Sequence, residues 1–380
     1  MSSSTADPEN DPQHWVSLFR GFADEWRDSI YSDPPFARVR KQMRLDVLET
    51  AWHVDASVAH RTWLLGFGDR CVPHYKITAG AIVGFYDLFM TLCCRADFFP
   101  DVAGATAGGQ DQPHPSRYKD YAFLLESGRL PLAHRVPDDP VRQALGLYLM
   151  TAAFHWLLYH EESHFLAGHL MFMQRMHAQA DIAEAPRATA DQERTADLRA
   201  LESHADERAH LQAVRIYANE PGLWSHPVES LRSPAQGVRV ALVALGSVLL
   251  LFDANQPGGD SSHPLPMTRL LDAYGVVFTT LVQKESSLYG PDTTWIDETS
   301  MLALMDQTLG DLQAAAQLLR FKGSVAALLK PLFEPQAASN EHVLELRSVK
   351  ERLARLRPDL AECQSRVVER SLRGAALDKW

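Results

Sequence analysis

His160-Glu161-Glu162-Ser163-His164, set between Phe154-His155-Trp156-Leu157-Leu158-Tyr159 and Phe165-Leu166-Ala167-Gly168-His169-Leu170, decides the fold. The flanks are apolar on nearly all sides, which predicts a helix at the centre of a bundle. A helix advances about 100° per residue, so His160 and His164 stack on one face with Glu161 beside them. Two neutral imidazoles in that arrangement can hold one Zn²⁺, and the neighbouring carboxylate can receive the proton of a metal-activated water.

Upstream, Val136-Pro137-Asp138-Asp139-Pro140 offers an N-cap aspartate followed by proline at the first helical position. A single helix is expected from there, through the polar cluster, to about Met176, with 183–190 breaking it. The next helix, about Asp191 to Ala218, contains Leu201-Glu202-Ser203-His204-Ala205-Asp206-Glu207-Arg208-Ala209. Glu202, Ala205, Asp206 and Ala209 share a face with Leu198, Leu201, Ala213 and Ile216, so Glu202 points into an apolar interior. An unpaired carboxylate there is costly, and a cation is the remedy. Glu202 can be the third protein ligand, leaving the fourth position to water, while Asp206 can accept the other N–H of a ligating imidazole.

Two other uses of these residues stand beside that one. His160 and His164 can be core histidines bonded to backbone carbonyls. Alternatively, Glu161-x-x-His164 and Glu207-x-x-His210 form two Glu-x-x-His pairs, as in di-iron helical bundles with oxidase-like chemistry. The helical wheel weighs against the second: with Ala205 at zero, Glu202 and Asp206 fall at about 60° and about 100°, whereas Glu207 and His210 fall at about 200° and about 140°. On the same wheel Glu162 reads as a solvated or partner-facing charge rather than a ligand. His155, His177, His204 and His210 read as structural.

Composition limits the setting. With 380 residues, 46% of them hydrophobic, the chain can bury a large core. A net charge of −11, without a long basic run, makes nucleic acid a poor partner. Four cysteines, two of them adjacent, form no disulfide framework and suit a reducing cytoplasm. Met1 to Gln13 reads as a loose tail, and Val240 to Phe252 as a buried helix shorter than the roughly 20 residues a bilayer requires.

The other segments are mostly helical. His14 to Ile30 and Phe36 to about Leu65 show helical spacing; Val72 to Leu88 suggests a strand or two before a short helix to Cys94. Ala103 to Pro115 is a surface loop and boundary, followed by a short helix near Tyr118 to Glu126. Met267 to Gln283 and Asp297 to about Phe321 complete the bundle. From Asn340 to Lys379, two amphipathic helices separated at Arg357-Pro358 offer either a solvated face or a docking surface for a partner or second copy. The expected organisation is a mainly α protein: a tail over 1–13, a helical region over 14–102, a catalytic core over 116–290 and a helical extension over 297–380.

His-Glu-x-x-His followed by Glu-x-x-Ala-Asp resembles the gluzincin metallopeptidases, most of all the HtpX and CAAX-prenyl protease group and the Lit-type phage-exclusion peptidases. The continuation to Gly168-His169 is similar too. That group carries a later His-Pro-x-x-x-x-Arg element, which this chain offers at His263-Pro264 to Arg269, with an earlier copy at His226-Pro227 to Arg232. The resemblance covers about Ala144 to Leu270. It implies a zincin-like helix pair in which His160, His164 and Glu202 bind zinc and Glu161 is the general base. By the same likeness His263 or Arg269 lies near the oxyanion, and Asp206 and His169 support the ligands. The implied activity is hydrolysis of a peptide bond in a peptide or protein substrate; a non-catalytic, zinc-scaffolded binding or regulatory protein is the alternative.

Overall fold

The computed structural model describes residues 44–48, 56–65, 68–103, 136–178, 181–183, 191–219, 228–255, 263–282, 298–321, 324–329 and 341–377. The expected tail, the helix over 14–30, the loop over 103–115 beyond its first residue, the helix over 118–126 and the copy at His226 lie outside them. The described residues are mainly helical, with one sheet of four strands. In chain order the elements are β1 (Arg44–Leu48), β2 (Ala56–Leu65), β3 (Gly68–Thr78), α1 (Ala79–Cys93), α2 (Pro140–Leu166), α3 (His169–His177), β4 (Asp181–Ala183) and α4 (Gln192–Asn219). Then follow α5 (Pro234–Asn255), α6 (Pro266–Val282), α7 (Glu298–Leu318), α8 (Val325–Leu329) and α9 (Glu341–Leu377). The sheet order is β1-β3-β2-β4; β1 runs parallel to β3, and β2 runs antiparallel to both β3 and β4.

The sheet corrects the helix expected over Phe36 to Leu65, because Arg44–Leu48 and Ala56–Leu65 are strands. The apolar steps from Val39 to Met43 to Val47 are each four residues, and four is also a multiple of the strand period of two. Pairing with β3 settles the ambiguity in favour of strand. Farther on, a strand followed by a helix forms as expected, but the change comes earlier, so that 79–88, expected to hold strand, belong to α1. β3 ends at Thr78, whose hydroxyl accepts from the backbone N–H of Ala81 at 3.2 Å and caps α1.

Helix α2 is the axis of the molecule. Asp139 caps it, accepting from the N–H groups of Val141 and Arg142, with Pro140 at the first turn. It packs against α1, α4, α5 and β2, so its side chains are buried on every face, Trp156, Leu157 and Leu158 among them. It does not continue to Met176. Gly168 takes a left-handed conformation, φ +79°, and α3 restarts at His169. A Cβ on Gly168 would stand 2.6 Å from the backbone nitrogen of Gln364 in α9, so both the turn and the close approach require glycine. The break brings His169 beside α2, its Nδ1 3.0 Å from Nδ1 of His164.

Helix α4 lies along α2 and is capped by Asp191, which accepts from Glu193 and Arg194. Helix α5 crosses α4 at Gly237, where a Cβ would collide with the carbonyl oxygen of Tyr217. Its span Pro234–Phe252 is long and apolar enough to cross a membrane, and 83% of it is buried inside the protein. Arg239 in α5, 1% exposed, is held by Asp311 at 2.8 Å and by both oxygens of Asp101 at 2.7 and 2.8 Å, and it covers the Phe99 ring at 4.2 Å. A buried guanidinium is tolerable only with such pairing.

The C-terminal segment is one helix, not two. Pro358 sits inside α9, and the stripe Val349, Leu353, Leu356, Leu360, Cys363 and Val367 is buried on both sides of it. That continuous packing against α3, α4, α6 and β3 outweighs the one hydrogen bond a helix loses at proline. The apolar stripe is therefore covered from within the chain, while the polar face, Glu351, Arg355 and Asp359 among it, is exposed as expected of a solvated face.

Candidate metal centre

Helix α2 supplies His160 and His164, one turn apart; α4 supplies Glu202 and Asp206, also one turn apart; the turn before α6 and its first residues supply His263 and Arg269. Each helical pair lies on the face turned towards the other helix. The small side chains of Ala205 and Ala209, both fully buried, let the two backbones approach. His160, Glu161, Glu202 and His263 are each 1% exposed, and His164 and Asp206 are 0% exposed.

The protons can be placed from one end. Arg269 grips Asp206 with two hydrogen bonds, Nε to Oδ2 at 2.7 Å and Nη2 to Oδ1 at 2.9 Å. Burial alone would raise the pKa of Asp206, but the guanidinium and His160 hold it well below the usual carboxylate range. The carboxylate therefore only accepts, and His160 donates to it from Nδ1 at 2.9 Å. A neutral imidazole carries one N–H, so His160 turns a lone pair inward at Nε2.

That lone pair meets two more. His160 Nε2 lies 3.0 Å from Glu202 Oε2 and 3.0 Å from His164 Nε2, and His164 Nε2 lies 3.4 Å from Glu202 Oε2. Glu202 Oε1 has no hydrogen-bond partner among the described residues. Electron-rich atoms facing one another in a dry interior repel unless a cation lies between them. A tetrahedral ion ligated at 2.0–2.1 Å spaces its donors about 3.3 Å apart, which the observed triangle approaches on every side. His160, His164 and Glu202 are thus a buried group able to hold a metal ion.

The surroundings are polar on one flank and aromatic on the other. His263 Nε2 stands 3.2 Å from Glu202 Oε2. His164 Nδ1 meets His169 Nδ1 at 3.0 Å, and His169 Nε2 meets His204 Nδ1 at 3.0 Å. Burial drives the pKa of His169 well below its ordinary value, and burial with the nearby Arg208, Arg357 and Lys350 cations brings His204 down to about 4. Both are neutral imidazoles near pH 7. On the other flank Trp156 stacks on His210 at 5.9 Å, and Arg269 lies 5.7 Å from the Trp156 ring.

Several sequence expectations meet the structure here. Glu207 pairs with Lys350 of α9 at 3.1 Å and stays outside the group of three. His210, expected to turn away, is instead wholly buried against Trp156, and burial lowers its pKa to about 3. Glu162 is not solvated: it is 6% exposed and its charge acts on Arg208. The wheel alone could not show this, because α2 is packed on all faces. His155 and His177 are structural, bound to the Tyr217 hydroxyl at 3.0 Å and to Asp197 at 2.9 Å. His204 was beyond a face-by-face reading, since it projects about 160° from Glu202 on the wheel and reaches the centre only through His169.

Residues 110–283 match the family model described as Peptidase U49, a span that contains every residue of this centre. Neither curated proteins nor solved structures yield a match. The family match supports a peptidase.

Proposed function

We propose that this chain is a zinc-dependent metallopeptidase with His160, His164 and Glu202 as ligands and Glu161 as general base. One observation carries it: three lone-pair atoms from two helices converge in a buried triangle of metal-ligand dimensions, inside a span similar to a peptidase family. Two imidazoles and one carboxylate suit a borderline ion such as zinc better than an all-oxygen ion such as magnesium or calcium. When bound, zinc supplies Lewis acidity that polarises a scissile carbonyl and acidifies water.

The protein's own groups do the rest. Glu161 follows His160 directly in α2 and is buried; it takes the proton of the attacking water and returns it to the leaving amine. Asp206 fixes the orientation and tautomer of His160. Arg269, spent on Asp206 in a two-point grip, acts by holding that aspartate rather than by meeting an oxyanion. His263, beside Glu202, is the group placed to donate to charge developing on the carbonyl oxygen.

The test is cleavage of a broad peptide library by the purified full-length protein. Cleavage that a chelator abolishes and one equivalent of zinc restores is the expected result. No cleavage by fully zinc-loaded protein would leave the centre as a scaffold for binding or regulation.

A further inference from the structure

Beyond the three ligands, the structure contains a second histidine array. From His164 the contacts run Nδ1 to Nδ1 of His169, then Nε2 of His169 to Nδ1 of His204, each at 3.0 Å. His164 and His169 are wholly buried, whereas His204 is only partly covered. The array leads from the candidate metal centre to the edge of the protein.

A nitrogen pair at this distance holds one proton, and a neutral imidazole has only one to give. The chain of contacts therefore has two self-consistent states. In the outward state His164 donates from Nδ1, His169 donates from Nε2, and His204 keeps its proton on Nε2. In the inward state His204 donates from Nδ1, His169 donates from Nδ1, and His164 carries its proton on Nε2, aimed at His160 Nε2 and Glu202 Oε2. Only the outward state leaves His164 Nε2 a lone pair for a metal. Only the inward state relieves the repulsion of the triangle when no metal is present.

We propose that metal binding reverses this three-histidine chain, so that His169 and His204 are positioning residues that set the tautomer of His164 and report the loading of the centre at the partly exposed His204. The proposal rests on His164 being a ligand. Reversal moves one proton across each of the two hydrogen bonds, releases the proton of His164 Nε2 as the metal takes that lone pair, and takes one proton from solvent at Nε2 of the partly exposed His204, so the three imidazoles stay neutral. Gly168 makes it sterically available, because its left-handed turn brings His169 under His164. A single continuous helix would carry His169 about 140° around from His164 and break the array at its middle member.

The experiment is nitrogen NMR of the full chain carrying ¹⁵N-labelled imidazoles, with His204 assigned by loss of its signals in His204→Gln, as zinc alone is added. The expected result is that the protonated ring nitrogen of His204 changes from Nδ1 to Nε2 at one equivalent. An unchanged His204 in protein shown to hold one zinc overturns the proposal and leaves the ligand assignment standing. Failure to take up zinc overturns both. In variants, His169→Leu should weaken zinc binding by about 10–100-fold, and His169→Asn, whose side-chain oxygen can accept from His164, should recover most of that loss. Should His169→Leu not fold, the labelled wild-type chain alone decides.

Discussion

Glu161→Gln is expected to keep its zinc and lose hydrolysis. The amide has the size of the carboxylate and can remain in the same buried position of α2, but it cannot take a proton from water. Loss of a positioned general base costs about 10²–10⁴-fold in rate, and kcat should fall with little change in metal content. Single-turnover cleavage of a peptide from the library, measured beside emission spectrometry on the same preparation, gives both quantities. Activity within a few-fold of wild type in the zinc-loaded variant would remove Glu161 as the base.

Glu202→Ala has the opposite signature. It removes one side of the ligand triangle and leaves two imidazoles, so the loss of metal affinity should exceed the roughly 10–100-fold typical of a supporting residue. Its effect on the metal-free protein should run the other way. Glu202 is a buried carboxylate with one oxygen lacking a hydrogen-bond partner among the described residues, and without metal it still faces the lone pair of His160 Nε2 at 3.0 Å. Deleting it relieves that cost, so the metal-free variant should be at least as stable as metal-free wild type. Stabilisation by added zinc follows the logarithm of ligand concentration over Kd, and it should be large in wild type and small in the variant. Thermal denaturation of both proteins, with zinc and with chelator, measures all four stabilities. Equal zinc-dependent shifts would reject Glu202 as a ligand.

The helical frame and the inward turn of Glu202 and Asp206 were legible because both rest on local periodicity. An amphipathic repeat near 3.6 residues tells which side chains share a face, and a carboxylate on an apolar face must have a partner. The cap at Asp139-Pro140 was legible for the same local reason. What periodicity cannot resolve is pairing between distant segments: the steps of four from Val39 to Val47 satisfy both the helical and the strand period, and only the contact of β1 and β2 with β3 selects the strands. Breaks were misplaced in both directions. Gly168 ends a helix that its neighbours would continue, because α9 presses on it; Pro358 fails to end one, because an uninterrupted apolar stripe holds both halves of α9 in place. His169 and His204 depend on that tertiary turn, so the array they form has no signature in spacing.

The central claim is that the buried triangle of His160, His164 and Glu202 is a zinc site. Its most direct measurement is the metal content of the full-length protein, purified without chelator and without added metal, by emission spectrometry together with the metal content of Glu202→Ala prepared identically. One zinc per chain in wild type and a small fraction of that in the variant is the predicted result. Two irons per chain, or no metal in a folded wild-type protein that also fails to bind added zinc, would contradict it.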